Sequence, residues 1–345
     1  NLYFVVFEQN RFIVDLLRVV PPENVLVIRA RGIVRTAIDT LRVVARMRRE
    51  GIEATLDCEF FARSSAILSY LGGARVRVGF HAYHGEASYR GDLMTHRLSF
   101  NPFLHASQIF DLLVEALAHD PAKLPSCDLA PVESVDLPRH EPRPEDAAAT
   151  EAILRDALGV ETVPPVVLLN ANCGDLLPLR RWEPRRYVEL AGKLLAHDPE
   201  IAIALTGAPS EAPEAEALVA EVGSPRCVSL AGRTTLDQLF ALYGLCELMI
   251  TNDSGPAHYA TVTPIDVITL FGPETPAVFG ARTPRSHLLW AGLVCSPCVN
   301  AFNDRQSACR HNICMERITV DEVFEIACAV IENRRSAGGD RTVPA

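Results

Sequence analysis

An α/β fold in two tandem domains is what this sequence predicts, and three observations carry the prediction. Strand-like and helix-like segments alternate almost throughout. A proline-rich stretch over residues 119–145 interrupts the alternation near the middle. With 345 residues and 48% hydrophobic content, the chain exceeds one typical core and is apolar enough for two. Repeated strand–helix units imply mostly parallel sheets covered by helices on both faces. Two such domains in tandem would leave a cleft beside the carboxyl ends of their strands, where ligands usually bind.

Taken in order, Leu2–Phe7 is a β-like run, Arg11–Leu17 a short helix and Val25–Ile28 a strand. Val34–Arg49 reads as a helix with apolar positions at Ile38, Leu41 and Ala45. Ala54–Leu56 is a strand, Ala62–Leu71 a helix and Val76–Phe80 a strand. Residues 81–101 read as irregular, and Leu104–Ala118 closes the first half as a helix. Six prolines between Pro121 and Pro144 mark the interdomain connection. The second series predicts helices over 145–158, 184–196, 211–222, 235–244 and 256–262. Its strands are Val166–Leu169, Ile201–Leu205, Val228–Leu230, Leu248–Ile250 and Asp266–Leu270, with a terminal helix near 320–333. The predicted domains are 1–140 and 141–335, followed by a disordered tail over 336–345.

The net charge of −10 argues against a general nucleic-acid binder and against autonomous attachment to anionic lipid. No apolar run reaches the length of a membrane span. Ten cysteines, mostly single in apolar contexts, favour a reducing compartment. The expectation is therefore a cytoplasmic protein, with peripheral contact at the inner face of the membrane as the one lipid encounter considered. Arginines are locally dense at 29–49 and at 180–186. The first cluster reads as a solvated helix face, the second as a set of ligands beside a strand end.

Most chemical information lies in Thr251-Asn-Asp-Ser-Gly-Pro-Ala-His258, which follows the apolar run ending at Ile250. Asn252, Asp253 and Ser254 are N-cap residues, Gly255 permits close backbone approach, and Pro256 suits a first helical turn. The amides of such a turn, with the positive end of the helix dipole, suit a diphosphate. His258 can donate to the same anion. The same letters also describe a capped helix with no ligand.

Other predicted βα turns repeat the theme. They are Asn170-Ala-Asn-Cys-Gly174 leading to Arg180-Arg-Trp182, Thr206-Gly-Ala-Pro-Ser-Glu211, Ala231-Gly-Arg-Thr-Thr235 and Phe271-Gly-Pro-Glu-Thr275. Parallel strands bring such turns to one rim. Arg180 can grip phosphate through its forked guanidinium, and Glu211 can accept from ribose hydroxyls. The phosphate loop GxxxxGK, the dinucleotide GxGxxG and the nucleophile elbow GxSxG are all absent. No Asp-x-Asp occurs, so leaving-group charge would fall to amides, Arg180 and His258 rather than to a divalent cation.

With these residues in view, the chain resembles the family 9 glycosyltransferases, the heptosyltransferases of lipopolysaccharide core assembly and their relatives. The resemblance rests on Thr251–His258 followed by Thr263–Pro273, on Arg180-Arg-Trp182, on the Gly207-x-x-x-Glu211 turn, on Leu230–Leu236 and on Arg77-Val-Gly-Phe80. It implies a GT-B-like architecture of two Rossmann-like domains facing across a cleft. It implies an inverting transfer from a nucleotide-diphosphate sugar to a glycolipid or saccharide acceptor, without a required cofactor. Carried over by position, Arg180 and His258 would contact the diphosphate, with amides from Ser254 and Gly255. Glu211, on the turn of Gly207, would hold ribose. Asp253 would brace the turn or reach the sugar, beside Asn252 and Pro256.

Two departures stand out. Family members begin with a strand and a Gly-Asp loop that carries the candidate general base, and this chain starts beyond that point. The expectation is a natural polypeptide that begins earlier, an N-terminal domain without its first βα unit, and a catalytic base N-terminal to residue 1. Asp92 and Glu86 are poor substitutes. Ala257 stands where bulkier residues are frequent. Separately, Cys295, Cys298, Cys309 and Cys314 approach zinc-site spacing, with a buried thiol cluster or a disulfide as alternatives. A zinc ion there would be structural. Trp182 reads as packing, Cys173 as non-catalytic, and His81, His84, His96 and His105 as acceptor-groove or surface residues. The rival functions are a silent sugar-nucleotide-binding module and a nucleotide-sugar 2-epimerase.

Overall fold

The computed structural model describes residues 1–126, 128, 137–174 and 177–336. Most of the expected tail, from residue 337 on, lies outside the described residues. The chain forms two compact units, one from residues 1–135 with Val299–Ser307, the other from residues 136–298 with Ala308 onward. A single boundary near residue 140 does not anticipate the return of Val299–Ser307. Its physical reason is aromatic: Phe302 sits 5.9 Å from the ring of Phe61 and 5.3 Å from that of Phe100, inside the first unit's core.

In the first unit β1 (Phe4–Phe7), α1 (Arg11–Leu17) and β2 (Val25–Ile28) form a parallel pair with its connecting helix. Next come α2 (Ile33–Arg49), β3 (Ala54–Leu56), α3 (Arg63–Leu71), β4 (Val76–Phe80), β5 (His96–Leu98) and α4 (Ala106–Glu115). Strands β3, β4 and β5 make a separate parallel sheet in that order. Strand β5 falls inside the stretch read as irregular. Three residues are too few to show a period, and only the register Val78↔His96 to Phe80↔Leu98 reveals them.

Helix α2 forms where expected, and the structure decides which of its faces is buried. Its buried residues are Asp39, Val43, Val44 and Met47. The apolar positions chosen from sequence, Ile38, Leu41 and Ala45, point outward instead. Asp39 is tolerated inside because Arg29 donates to both its oxygens, at 2.7 and 2.8 Å. These contacts hold its carboxyl well below the usual range.

A second buried ion pair organises the loop after β4. Arg90 and Asp57 meet with side chains only 1% and 2% exposed. Arg90 also donates to the Phe60 carbonyl at 2.9 Å and to Ser65 Oγ at 3.1 Å. Asp57 stands just past the end of β3, so this guanidinium pins the loop to the sheet. Burial pushes the Asp57 carboxyl up, against the pull of Arg90.

The second unit holds α5 (Pro144–Leu158), β6 (Val166–Asn170), α6 (Pro184–His197), β7 (Ala202–Leu205), α7 (Ala212–Val222), β8 (Cys227–Ser229) and α8 (Leu236–Leu245). It continues with β9 (Leu248–Asn252), α9 (Gly255–Tyr259), β10 (Asp266–Phe271), α10 (Pro276–Phe279), β11 (Ser286–Trp290), α11 (Ile313–Glu316) and α12 (Val320–Ser336). Six parallel strands run in the order β11-β10-β9-β6-β7-β8. Successive residues of β6 serve opposite faces. Val167 and Leu169 enter a core shared with α6 and α12, while Val166 and Leu168 enter one shared with α5 and α8. Among the described residues no helix is long and apolar enough to cross a membrane.

The chain moves outward from β6 to β8, then returns to place β9 against the other side of β6. The loops after β6 and β9 therefore diverge, and the crevice between them is the topological switch point. Asn252, at the end of β9, ties those loops together. Its Oδ1 accepts from the Trp182 amide at 2.9 Å and the Tyr187 hydroxyl at 3.1 Å. Its Nδ2 donates to the carbonyls of Ala171 and Asn172, at 3.1 and 3.2 Å.

Replacing Asn252 with Ala strands two buried donors and two carbonyls. The expected loss of unfolding free energy is about 2–4 kcal/mol, measurable by denaturant titration. Arg90→Met leaves Asp57 buried without its partner, with an expected cost of about 3–5 kcal/mol. The double variant Arg90→Met/Asp57→Asn should recover part of that loss. Strict additivity of the two single changes would contradict the coupling.

Candidate functional site

The switch point gathers four charged or titratable side chains from three separate turns. Arg180 ends the turn Pro178–Arg180, Asp253 and His258 follow β9, and Glu274 follows β10. Arg180 Nη1 lies 3.5 Å from Glu274 Oε2 and 3.8 Å from Asp253 Oδ2. His258 Nε2 lies 3.8 Å from the other Asp253 oxygen, with its ring half exposed. Both carboxylates are buried, and Arg180 is only 16% exposed. The ion pairs are long, and Arg180 Nε has no hydrogen-bond partner among the described residues. A guanidinium with strong intramolecular partners would make contacts near 2.8 Å. This one is held in place but not saturated, so it can accept an anionic ligand.

The electrostatics suit that role at His258 as well. Removal from water, then the charge of Arg180, lower its pKa, against the opposing pull of Glu274. The ring is thus poised to gain a proton when a negative group arrives.

Glu211 approaches from the turn after β7. Its Oε2 accepts from the Ala208 amide at 2.7 Å. A Cβ on Gly207 would lie 2.9 Å from that same oxygen, so only glycine leaves the carboxylate in place. Gly255 has a similar reason, since a Cβ there would meet the Tyr259 hydroxyl at 2.9 Å. Pro256 occupies the first turn of α9, as its fixed φ favours.

Other expected site residues serve the scaffold. The Asn252 amide is wholly occupied by protein partners. Ser254 Oγ donates to the Asn252 carbonyl at 3.1 Å, inside the turn. Ala257 is buried. Helix α9 is five residues long, so little macrodipole accumulates at its start and the amides of Ser254 and Gly255 lose that support. Trp182 is fully buried, with its indole N–H donated to the Ile318 carbonyl at 2.9 Å. Arg233 leaves the rim for an exposed pair with Asp156 at 2.6 Å. Glu274 is the residue that sequence reasoning passed over. Its signal was register: Leu270 pairs with Asn252, so the turn after β10 must run beside Asp253.

The zinc expectation finds no matching geometry. Among the described residues no three His, Cys, Asp or Glu side chains are placed to hold a metal ion. Cys295 and Cys309 are exposed, whereas Cys314 is buried and turned inward. Its sulfur lies 3.2 Å from where a Gly272 Cβ would stand. Burial raises the thiol's pKa, which opposes the thiolate a zinc ion needs. In the first unit, Glu86 accepts from the amides of Tyr83 and His84, and Asp92 pairs with Arg97 at 3.1 Å. His81 and His96 are buried, His84 is exposed, and His105 caps α4.

Comparison with known proteins bears on the family and the fold. The profile of glycosyltransferase family 9 (heptosyltransferase) matches residues 41–308. Lipopolysaccharide heptosyltransferase 2 of Escherichia coli is 32% identical over 102 residues, 29% of either chain. Lipooligosaccharide heptosyltransferase 2 of Haemophilus ducreyi is 28% identical over 167 residues, 47% of this chain and 46% of that protein. The matched stretches thus span less than half the length of these curated relatives. Among solved structures, E. coli ADP-heptose lipopolysaccharide heptosyltransferase II superposes with a TM-score of 0.65 at 18% identity, covering 96% of this chain and 90% of that one. A family 9 glycosyltransferase from Veillonella parvula gives 0.69 at 16% identity, covering 96% and 88%. The E. coli heptosyltransferase WaaC with ADP gives 0.62 at 16% identity, covering 95% and 89%. These structures share its α/β fold with parallel sheets. On its sequence profile and its fold, the chain belongs to glycosyltransferase family 9, the heptosyltransferase family.

Proposed function

We propose that this protein is an inverting glycosyltransferase that moves heptose or a related sugar from a nucleoside-diphosphate donor to a cell-envelope saccharide or glycolipid. The observation that carries the proposal is the unsaturated guanidinium of Arg180 at the switch point, flanked by His258 and two carboxylates. Relatives named for lipopolysaccharide heptosyl transfer, and a related structure named with ADP, support the donor class.

Arg180 grips the diphosphate, exchanging long contacts to Asp253 and Glu274 for short ones to phosphate oxygens. His258 takes up a proton and donates to the same anion. Glu211 accepts from ribose hydroxyls with the capacity that Ala208 leaves free. The acceptor hydroxyl attacks the anomeric carbon as the bond from that carbon to the phosphate oxygen breaks, which inverts the centre. Charge developing on the departing diphosphate meets Arg180 and protonated His258 without a metal ion. Asp253 and Glu274 are buried against Arg180, so the acceptor proton goes to a base outside this cluster. Cys173, Cys227, Cys246 and Cys314 are buried free thiols, which fits a cytoplasmic location.

Arg180→Ala should weaken ADP binding by about 10–100-fold with the fold intact, read by calorimetry, with UDP and GDP as comparisons. Unchanged affinity for all three would remove the donor site from this crevice. A diphosphate beside His258 raises the ring's pKa, so binding consumes protons. Affinity should therefore rise as pH falls from about 7.5 to 6, and His258→Gln should flatten that rise. Gly207→Ala displaces the Glu211 carboxylate. It should reduce affinity for ADP but not for pyrophosphate, whereas an equal loss for both would refute the ribose role. Turnover is read as ADP release from ADP-heptose in the presence of a lipopolysaccharide-core acceptor.

A further inference from the structure

Helix α2 has two apolar faces, and the first unit's core uses one. Residues on an α-helix advance by about 100° each. Asp39, Val43, Val44 and Met47 accordingly share the inward side. Val34, Ile38, Leu41 and Ala45 follow the spacing of a second stripe, on the opposite side. That stripe faces solvent, with Val34 74%, Ile38 40% and Leu41 65% exposed. Ile33, at its N-terminal end, is 90% exposed. A contiguous apolar surface of this kind marks an interaction site.

The charge around it is one-sided. Residues 29–49 hold seven arginines against one aspartate, a local charge of +6 in a chain of net −10. The aspartate, Asp39, is buried on the inward side and held by Arg29 at 2.7 Å. On the helical wheel Arg35, Arg42 and Arg49 run along one edge of the stripe and Arg48 along the other. The side chains of Arg35, Arg42 and Arg49 are 46%, 65% and 68% exposed; Arg42 reaches Asp39 at 3.1 Å, while Arg35 and Arg49 stand 3.8 Å from Asp39 and Glu50 respectively. No acidic residue of α2 lies on the outward side.

We propose that this outward face of α2 docks the protein on an anionic phospholipid bilayer. The apolar stripe enters the boundary between headgroups and acyl chains, and the arginines meet lipid phosphates. A second copy is a poorer occupant. A two-fold contact would set the arginine rows of both copies against each other with no acid on the face to offset them. The proposal extends the glycolipid-acceptor reading, since it carries the enzyme to a membrane-borne acceptor. It rests on α2 alone, so its failure leaves the nucleotide site untouched, and failure of nucleotide binding leaves it standing.

Sedimentation with vesicles tests it. Wild-type protein should pellet with equimolar phosphatidylglycerol and phosphatidylcholine, pellet far less with phosphatidylcholine alone, and be released by high salt. Val34→Ser/Leu41→Ser should weaken binding to anionic vesicles at least about tenfold. Arg35→Gln/Arg49→Gln should weaken it about twenty-five-fold, at roughly fivefold per arginine. All four positions are exposed, and unchanged thermal melting verifies the fold. Failure of wild-type protein to pellet with anionic vesicles overturns the proposal, as does equal pelleting of both variants and wild type. A dimer in sedimentation velocity that Val34→Ser/Leu41→Ser dissolves, with no vesicle binding, would assign the face to a second copy and overturn it too.

Discussion

After two adjacent parallel strands at the centre of the second unit's sheet the chain departs to opposite sides, and the side-chain amide of Asn252 holds their loops together. The amide is closed to solvent, so each of its four hydrogen bonds would be costly to lose. Through Trp182 it fixes the chain two residues after Arg180, and through its own position it fixes the start of the turn that carries Asp253 and His258. Placement of the charged cluster therefore depends on a neutral group that touches none of its charges.

That cluster balances two requirements. Arg180 must be ordered before a ligand arrives, yet a fully saturated guanidinium would resist exchange. Contacts of 3.5 and 3.8 Å to two carboxylates meet both conditions, because they hold the charge in place yet are long enough to be exchanged. The neighbouring carboxylates also keep the pocket from being strongly positive. Protonation of His258 supplies the missing charge when a diphosphate binds, which makes the site responsive to its ligand rather than permanently cationic.

The first unit shows why net charge is a weak guide to surface behaviour. The chain as a whole is acidic, but charge acts over roughly a Debye length of about 8–10 Å, so a partner meets α2 and not the average. Helical periodicity allows two apolar stripes on α2, and the more conspicuous one, Ile38–Leu41–Ala45, is the one the core leaves outside. Val43 and Met47 go inside because β1, β2 and α3 offer apolar neighbours there, namely Val5, Leu26, Ile28 and Leu68. A helical wheel contains no record of which side is covered.

Sequence by itself determined what is local and periodic. Val76–Phe80 and Arg11–Leu17 were legible to the residue, and so were the turn glycines and the family motif at Thr251–His258, since propensity and turn chemistry act within a few residues. Tertiary structure decided what depends on distant neighbours. It turned Asn252 and Ser254 inward, recruited Glu274 beside Arg180, drew Val299–Ser307 into the first unit, and chose the buried face of α2. Each of these is settled by strand register or by packing between segments far apart in the chain. The interactions responsible act across space, and the order of residues does not encode that distance in any short window.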